Sequence, residues 1–379
     1  MKKLYWRPQR ISLAVFFLLA LLSACALAAV ENFKVQERQV HYKTKMAAAQ
    51  AALRAFKAIK AHRLTLGIPI DPETDPAETG MIGELITPVT TNTGHVPAKQ
   101  TSVNPNFAAV VVDMLARAEV EKGDVVAVGM SGSFPALNIA VLTALEAMKV
   151  VPICIASAGS SQWGANHPSL TWPAMEALLA GQGIITTRSV AVSPGGVDDR
   201  AVGLSARGKA MLRDAVAAAG LTMLETKSYD ESLDRRMEIY QEHAGDREIR
   251  AYINVGGGTT SVGTRVGKHM FKPGLNKTAP RGPAVDSVMT RFAERGVPVI
   301  HLTQIEDLAE RYGLAVAPTS MPPVGSGEIF VRKVYSRVLA TICLLIIVGV
   351  AVGMLRFDLG YRLLPRAGTR PAARPEPMV

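Results

Sequence analysis

Two uncharged apolar runs bracket the chain, at residues 11–30 and 338–355. A helix needs about 20 apolar residues to cross a bilayer, so each run predicts a transmembrane helix. Basic residues lie outside both runs: Lys2, Lys3, Arg7 and Arg10 before the first, and five arginines after the second. The positive-inside rule predicts that residues 1–10 and 356–379 are cytoplasmic. The region between the runs is then extracytoplasmic, on a bacterial inner (cytoplasmic) membrane.

The first run has a second interpretation. Leu22-Ser23-Ala24-Cys25 resembles a bacterial lipobox, in which Cys25 would become a cleaved, lipidated N-terminus. The run nevertheless stays apolar through Val30, which favours an uncleaved anchor. Both interpretations place the middle region outside the cytoplasm.

The middle region alternates between short Val- and Ile-rich runs and amphipathic segments of about 12 residues. This alternation predicts βαβ units and a mostly parallel sheet with both faces buried. The predicted strands cover residues 124–128, 150–157, 184–192, 222–225, 249–255 and 297–302. We therefore expect an α/β fold, a doubly wound Rossmann-like sheet of about six strands, at residues 104–316. Residues 31–103 read as a helical lead-in with an irregular segment, and residues 317–337 as a linker.

Charge and cysteine content narrow the possible functions. The net charge of +10 falls to +3 for the middle region once the four positive charges of residues 1–10 and the net +3 of residues 356–379 are removed. This distribution argues against nucleic-acid binding. Cys154 is the one cysteine between the runs, so neither a disulfide nor a thiolate metal site is predicted there. No dinucleotide or P-loop motif occurs, so we expect no cofactor and no metal.

Ligands of such sheets bind beyond the carboxyl ends of the strands. The segment 129–138, GMSGSFPALN, directly follows a predicted strand and leads into a helix. Ser131, Gly132, Ser133 and Asn138 are therefore candidate ligands of an anion at the helix start. The segment also weakly matches the nucleophile elbow G-x-S-x-G. An ordinary tight turn remains an alternative.

Two further loops carry polar side chains. Asn166 and His167 lie in the long loop 158–172, where His167 is a candidate acid or base and Asn166 a candidate ligand. The alternative is a loop held in place by its tryptophans. The loop 193–200 holds Asp198 and Asp199, for which a capped turn is the better interpretation than a metal or amine site.

A glycine run follows the strand predicted at residues 249–255. Gly256, Gly257, Gly258 and Thr259 are candidate backbone ligands of an oxyanion. From Gly256 to Val285 no acidic residue occurs, whereas Lys268, Lys272 and Lys277 are present together with two arginines. This one-signed stretch predicts contact with a polyanion, with a solvated surface loop as the alternative.

Several longer segments resemble bacterial poly-gamma-glutamate system proteins. These are Tyr5-Trp6-Arg7-Pro8, Ile70-Asp71-Pro72-Glu73, and the segments 100–109, 129–138, 160–172 and 256–258. The resemblance covers the chain from end to end. It implies an accessory membrane protein of poly-γ-glutamate synthesis or export, with the membrane subunits of the polymer synthase and the anionic polymer as partners. It brings no catalytic residues with it.

Two alternatives to an accessory binding protein remain open. The first is a γ-glutamyl-bond hydrolase or transferase, with Ser131 or Ser133 as nucleophile and His167 or His301 as base. The second is a sensor of a small anion on a Rossmann-like scaffold. Convergence of these side chains in space would favour the first.

Overall fold

The protein is described by a computed structural model covering residues 13–263, 265–282 and 285–356. It divides into two compact units. The first combines residues up to Glu37 with those from Arg332 onward, and the second runs from Arg38 to Val331. The basic residues of 1–10 and the arginines after residue 356 lie outside the described residues.

Helices and strands alternate along most of the described chain. The helices are α1 (Leu13–Asn32), α2 (Tyr42–Thr65), α3 (Val96–Ser102), α4 (Phe107–Arg117), α5 (Pro135–Met148), α6 (Trp172–Gly181), α7 (Ala206–Ala218), α8 (Tyr229–Ala244), α9 (Thr259–Val262), α10 (Arg265–Met270), α11 (Val288–Glu294), α12 (Ile305–Arg311) and α13 (Arg337–Arg356). The strands are β1 (Val35–Arg38), β2 (Thr90–Asn92), β3 (Val125–Met130), β4 (Val151–Ser157), β5 (Ser160–Ser161), β6 (Asn166–His167), β7 (Leu170–Thr171), β8 (Ala191–Ser193), β9 (Ile249–Val255), β10 (Gly274–Asn276), β11 (Val299–Leu302) and β12 (Val331–Val334).

The first unit contains both long apolar helices, α1 and α13, which pack against each other. Windows of 18 residues in each are long and apolar enough to cross a membrane. At the end of α1, Glu31 accepts a hydrogen bond from the Tyr335 hydroxyl at 2.6 Å and pairs with Lys34 at 2.8 Å. The sequence prediction of two long apolar helices is confirmed. Cys25 lies inside α1, which continues without a break to Asn32.

The second unit is built around a six-stranded sheet in the order β10-β11-β9-β3-β4-β8. Five strands are parallel, and β10 joins the edge antiparallel to β11. From β3 the chain moves outward to β4 and β8 and then crosses back to β9. It continues to the opposite edge at β10 and returns to place β11 between β10 and β9. The strand order therefore reverses between β3 and β9. The predicted α/β fold with a mostly parallel sheet is confirmed in this form.

The sheet differs from the prediction at one edge. Strand β8 covers Ala191–Ser193, so only residues 191 and 192 of the predicted strand 184–192 belong to it. The preceding amides of Thr186 and Thr187 donate to the Glu146 carboxylate at 2.6 and 3.0 Å instead of to a strand. The predicted strand 222–225 reduces to a single bridge between Met223 and Val192. The sixth strand is β10, which was not predicted.

Helices cover both faces of the sheet because side chains alternate along each buried strand. Val126 and Val128 of β3 contribute to one core with α2, α4 and α5, whereas Val125 and Ala127 face a second core. The second core centres on three aromatic rings, Tyr240, Tyr252 and Phe292, with Tyr252 stacked on Phe292 at 4.9 Å between ring centroids. The unit is thus covered on both faces, as a doubly wound sheet requires.

The segments predicted as lead-in and linker belong largely to this second unit. Helix α2 presents a stripe of fully buried residues to the core: Ala48, Ala49, Ala52, Ala55, Phe56 and Ile59. Their spacing of three and four residues forms one apolar face, so the helix packs rather than projecting from the domain. The two ends of the unit meet, since the Gln39 amide donates to the Phe330 carbonyl at 2.9 Å. The compact unit therefore begins at Arg38 rather than at residue 104.

Candidate functional site

A cavity of about 740 Å³ opens at the carboxyl ends of the parallel strands. Its wall includes the loops that follow β3, β4, β8, β9 and β11. The segment from Thr91 to Lys99 supplies a further side. The strand order reverses between β3 and β9, and a doubly wound sheet forms its ligand crevice at such a reversal. The cavity is therefore where a doubly wound sheet holds its ligand.

The loop after β3 lines the cavity with Ser131, Ser133 and Phe134. Its backbone amides are largely used inside the protein. The amide of Gly132 donates to Ser157 Oγ at 3.2 Å, that of Ser133 to Ser131 Oγ at 3.2 Å, and that of Phe134 to the Ser131 carbonyl at 3.2 Å. The loop is thus a rigid wall with two hydroxyl side chains, rather than an open cradle of free amides.

The loop after β9 forms the opposite side of the crevice. Gly256 has φ of +81°, and a Cβ at this position would lie 3.2 Å from the Phe134 ring and 3.4 Å from Ser131 Cβ. The two loops therefore meet closely at Gly256, where a side chain would be strained. Gly257, Gly258 and Thr259 continue along the cavity wall. The loops that follow β3 and β9 therefore line the same cavity.

Lys99, on the short helix α3, places its ammonium group in the cavity wall. It is 3% exposed. Its Nζ atom donates to the Ser133 carbonyl and to Ser161 Oγ at 2.9 Å, and lies 4.0 Å from the centroid of the Phe134 ring. No carboxylate of the described residues lies within 4 Å of it. Burial lowers the pKa of this amine from 10.5 to about 7.

A second buried lysine shows what Lys99 lacks. Lys45 is 1% exposed and pairs with Asp113 at 2.9 Å, while also donating to the Ile329 carbonyl. A buried charge normally has such a partner, because isolated charges are costly to remove from water. Lys99 has no such carboxylate among the described residues, and it lines the cavity instead.

The hydroxyl of Thr260 is another unsatisfied group in this wall. Thr260 is 2% exposed, and none of the described residues hydrogen-bonds its Oγ1 atom. Buried hydroxyls usually have a partner, so an orphaned one calls for an explanation such as a ligand or an ordered water molecule. Lys99 and Thr260 both point to a polar occupant of the cavity.

Arg236 and Asp199 form a buried ion pair at the same cavity. Arg236 donates to Asp199 Oδ2 at 2.6 Å, and Asp199 also accepts from the hydroxyls of Ser193 and Ser232. Asp199 adopts a left-handed backbone with φ of +61°. The aspartate thus holds the loop after β8 in place, and its partners leave it unavailable for the metal or amine considered from the sequence.

The two histidines and the two asparagines among the predicted site residues lie outside the cavity lining. His167 Nε2 is 3.7 Å from Glu84, and His301 is fully buried beside Asn254. Asn138 donates to the Ser131 carbonyl at 2.9 Å, and Asn166 is bonded to the backbone of Glu84 in both directions. Both asparagines therefore support loops instead of facing a ligand. The serines and the histidines of the predicted hydrolase do not meet in this cavity.

The basic stretch is spread along the edge of the sheet. His269 lines the cavity, whereas Lys272 is exposed next to β10. Lys277 pairs with Glu119 at 3.3 Å, near the amino end of β3. The side chain of Lys268 lies outside what the structure describes. The stretch therefore does not gather its charges around the cavity.

Sequence reasoning missed Lys99, Ser161, Thr260 and Arg236. For Lys99 a signal was present: apart from His95 it is the one ionisable residue from Leu85 to Val112. A lone cation in an acid-free segment has no acidic residue near it in the sequence with which to pair. The fold alone brings this segment across the carboxyl ends of the strands.

No family model matches the chain, and neither a curated protein nor a solved structure does. The fold and the cavity define a class: an α/β protein with a doubly wound sheet and a polar crevice at the reversal of strand order. Two long apolar helices frame this unit in the sequence.

Proposed function

We propose that the chain is a membrane-tethered binding protein whose cavity holds a carboxylate group, and that it serves poly-γ-glutamate synthesis or export. The observation that carries the proposal is the buried Lys99 ammonium, which faces the cavity without a carboxylate partner among the described residues. A ligand carboxylate would supply the missing partner. The resemblance of the sequence to poly-gamma-glutamate system proteins supports the choice of a glutamyl ligand.

The size of the cavity favours a short ligand segment. A volume of about 740 Å³ falls within the range of ~300–1,000 Å³ typical of small-molecule sites. A chain end or a few γ-linked units would fit, each unit bringing one free α-carboxylate. Lys99 would neutralise the charge of one such carboxylate.

The tethering completes the proposal. The apolar helices α1 and α13 would anchor the chain at both ends in the cytoplasmic membrane, with residues 1–10 and 356–379 inside the cell. The α/β unit would then lie on the outer face, where an exported polymer emerges beside the membrane subunits that make it.

The test is binding of γ-glutamyl oligomers to the full chain in detergent micelles, measured by isothermal titration calorimetry. Charged hydrogen bonds are worth ~1.5–3 kcal/mol, so Lys99→Met should weaken binding about 10- to 150-fold. Lys57→Met, at an exposed lysine of α2, is the matched control and should bind like the wild type. An oligomer whose carboxylates are amidated should bind the wild type as weakly as the free oligomer binds Lys99→Met.

Three outcomes would overturn the proposal. Absence of binding by the wild type would exclude a γ-glutamyl oligomer as the ligand. Binding by Lys99→Met equal to that of the wild type would exclude the cavity as the binding site. Loss of binding in Lys272→Gln/Lys277→Gln alone would assign the polymer to the exposed basic stretch. Parallel titrations with free glutamate and inorganic phosphate separate polymer binding from small-anion sensing.

A further inference from the structure

Ser161 and Lys99 form a close pair of side chains in the cavity wall. Lys99 Nζ lies 2.9 Å from Ser161 Oγ. Both residues are buried, at 3% and 7% exposure, and both line the cavity. A hydroxyl within hydrogen-bond reach of an amine is the arrangement that activates a serine nucleophile when the amine is neutral.

Near pH 7 about half of the Lys99 side chains carry a neutral amine as long as no ligand carboxylate pairs with them. No described carboxylate is close enough to hold the ammonium form, and burial lowers the pKa to about 7. The Phe134 ring stabilises a desolvated ammonium by ~2 kcal/mol, which offsets only part of the effect of burial on the pKa. A neutral amine has two N–H groups and one lone pair. In the structure Lys99 Nζ donates to the Ser133 carbonyl and to Ser161 Oγ, and the Ser161 hydroxyl donates to the Gln162 carbonyl at 3.4 Å. In the neutral amine one N–H keeps the Ser133 carbonyl, and the lone pair accepts the Ser161 proton once that hydroxyl turns from Gln162 to Nζ.

The backbone around Ser161 is firmly held. Strand β5 pairs in parallel with β2, with Ser161 opposite Asn92, and the Ser161 amide donates to Ser133 Oγ at 3.0 Å. Gly164 packs so closely that a Cβ there would lie 2.2 Å from Ser160 Oγ and 2.8 Å from Ser133 Cα. This packing fixes the hydroxyl against the amine, as a nucleophile requires.

We propose that Ser161 is the nucleophile and Lys99 the general base of an acyl-transfer reaction on an amide or ester of a carboxylic acid bound in the cavity. Cleavage of the ligand goes beyond the binding proposed above. It also replaces the serine–histidine sets considered from the sequence.

The reaction balances without a cofactor. The Ser161 proton moves to Lys99 Nζ as Oγ bonds to the acyl carbon, and the ammonium so formed faces the oxyanion. The bond from the acyl carbon to the leaving nitrogen or oxygen then breaks, and the leaving group takes the proton from Lys99. Water next adds to the acyl carbon, its proton passes to Lys99 and on to Ser161 Oγ, and the carboxylic acid is released.

The test uses a fluorophosphonate probe on the full chain in detergent, with mass spectrometry to find the labelled residue. We expect a single adduct on Ser161, formed at a rate that rises with pH through about 7 as Lys99 loses its proton. Ser161→Ala should abolish the adduct. Removing a general base costs ~10²–10⁴-fold, so Lys99→Met should slow labelling by at least about 100-fold. Ser169→Ala, at an exposed serine, is the control and should label normally.

Binding of γ-glutamyl oligomers, measured on the same samples, separates this proposal from the previous one. Ser161→Ala should still bind, because Lys99 remains, and retained binding also shows that the variant is folded. A label on Ser131 or Ser133, or no label on a wild-type chain that binds the oligomer, would overturn the nucleophile proposal and leave the binding site intact. If Lys99→Met does not fold, the pH profile of the wild type decides: a labelling rate that is flat between pH 6 and 8 excludes Lys99 as the base.

Discussion

Replacing Lys99 by methionine, which has a similar length and no charge, should change how stability depends on pH. In the unfolded chain the Lys99 amine has a pKa near 10.5, and in the folded chain burial lowers it to about 7. Below pH 7 the charged amine destabilises the fold, because folding must bury it or remove its proton. The cost declines as the pH rises from 7 and is gone above 10.5, where the amine is neutral in both states.

The magnitude follows from the two pKa values. At ~1.4 kcal/mol per pKa unit, the cost is about 5 kcal/mol at pH 6 and falls to about 1 kcal/mol at pH 10. Lys99→Met has no such cost at any pH. The free energy of unfolding of Lys99→Met minus that of the wild type should therefore shrink by about 4 kcal/mol between pH 6 and pH 10. Lost hydrogen bonds shift this difference by a constant and leave its slope unchanged.

Guanidinium denaturation of the full chain in micelles can measure this slope through tryptophan emission. Trp163 and the fully buried Trp172 both report on the α/β unit. Lys45→Met is the informative contrast. It removes the 2.9 Å pair with Asp113 and leaves that carboxylate, among the described residues, only the longer 3.8 Å contact with Arg117, so the variant should lose about 2 kcal/mol at neutral pH. A difference between Lys99→Met and wild type that stays constant from pH 6 to pH 10 would refute the reasoning.

Three further outcomes can be stated. Arg236→Met leaves the buried Asp199 carboxylate unpaired and should lower the free energy of unfolding by about 3–5 kcal/mol; a loss below 1 kcal/mol would show that the pair does not hold the loop after β8. Gly129→Ala places a Cβ 2.4 Å from the Tyr252 hydroxyl and should cost about 1–3 kcal/mol in the same assay, so an unchanged midpoint would contradict the packing. Lys57→Cys should react with a membrane-impermeant maleimide added to intact spheroplasts, with the unsubstituted chain as control; labelling only after lysis would reverse the proposed topology.

The sheet was predictable because each central strand is a continuous apolar run. β9 was predicted with its observed bounds, and a helix does follow the segment 129–138 as expected. The strand prediction failed where a side chain replaced the hydrogen bonds between strands. The Glu146 carboxylate, for example, accepts hydrogen bonds from the amides that precede β8. β10 has only three residues and is held by pairing with β11, so it carries no pattern of its own.

The sequence predicted where the site lies in the fold but not which side chains meet there. Loops after parallel strands must meet at one edge, which located Ser131, Ser133 and Gly257 correctly on the cavity wall. Lys99 and Ser161 are 62 residues apart in the sequence, and no local pattern links them. They meet because a segment that precedes the sheet crosses its carboxyl edge, which is a property of the whole fold.

The meeting of Gln39 with Phe330 has a consequence for how the α/β unit is made. Lys45 also donates to the Ile329 carbonyl. The first helix of the unit, α2, is therefore held in place by contacts with the last residues of the unit. During synthesis, almost the entire unit must leave the ribosome before these contacts between its two ends can form. Helix α2 cannot complete its packing until then. The adjacent ends also suit circular permutation, in which a short linker joins residues 38 and 331 and new termini are opened at a surface turn. A permuted unit would carry its cavity without either apolar helix.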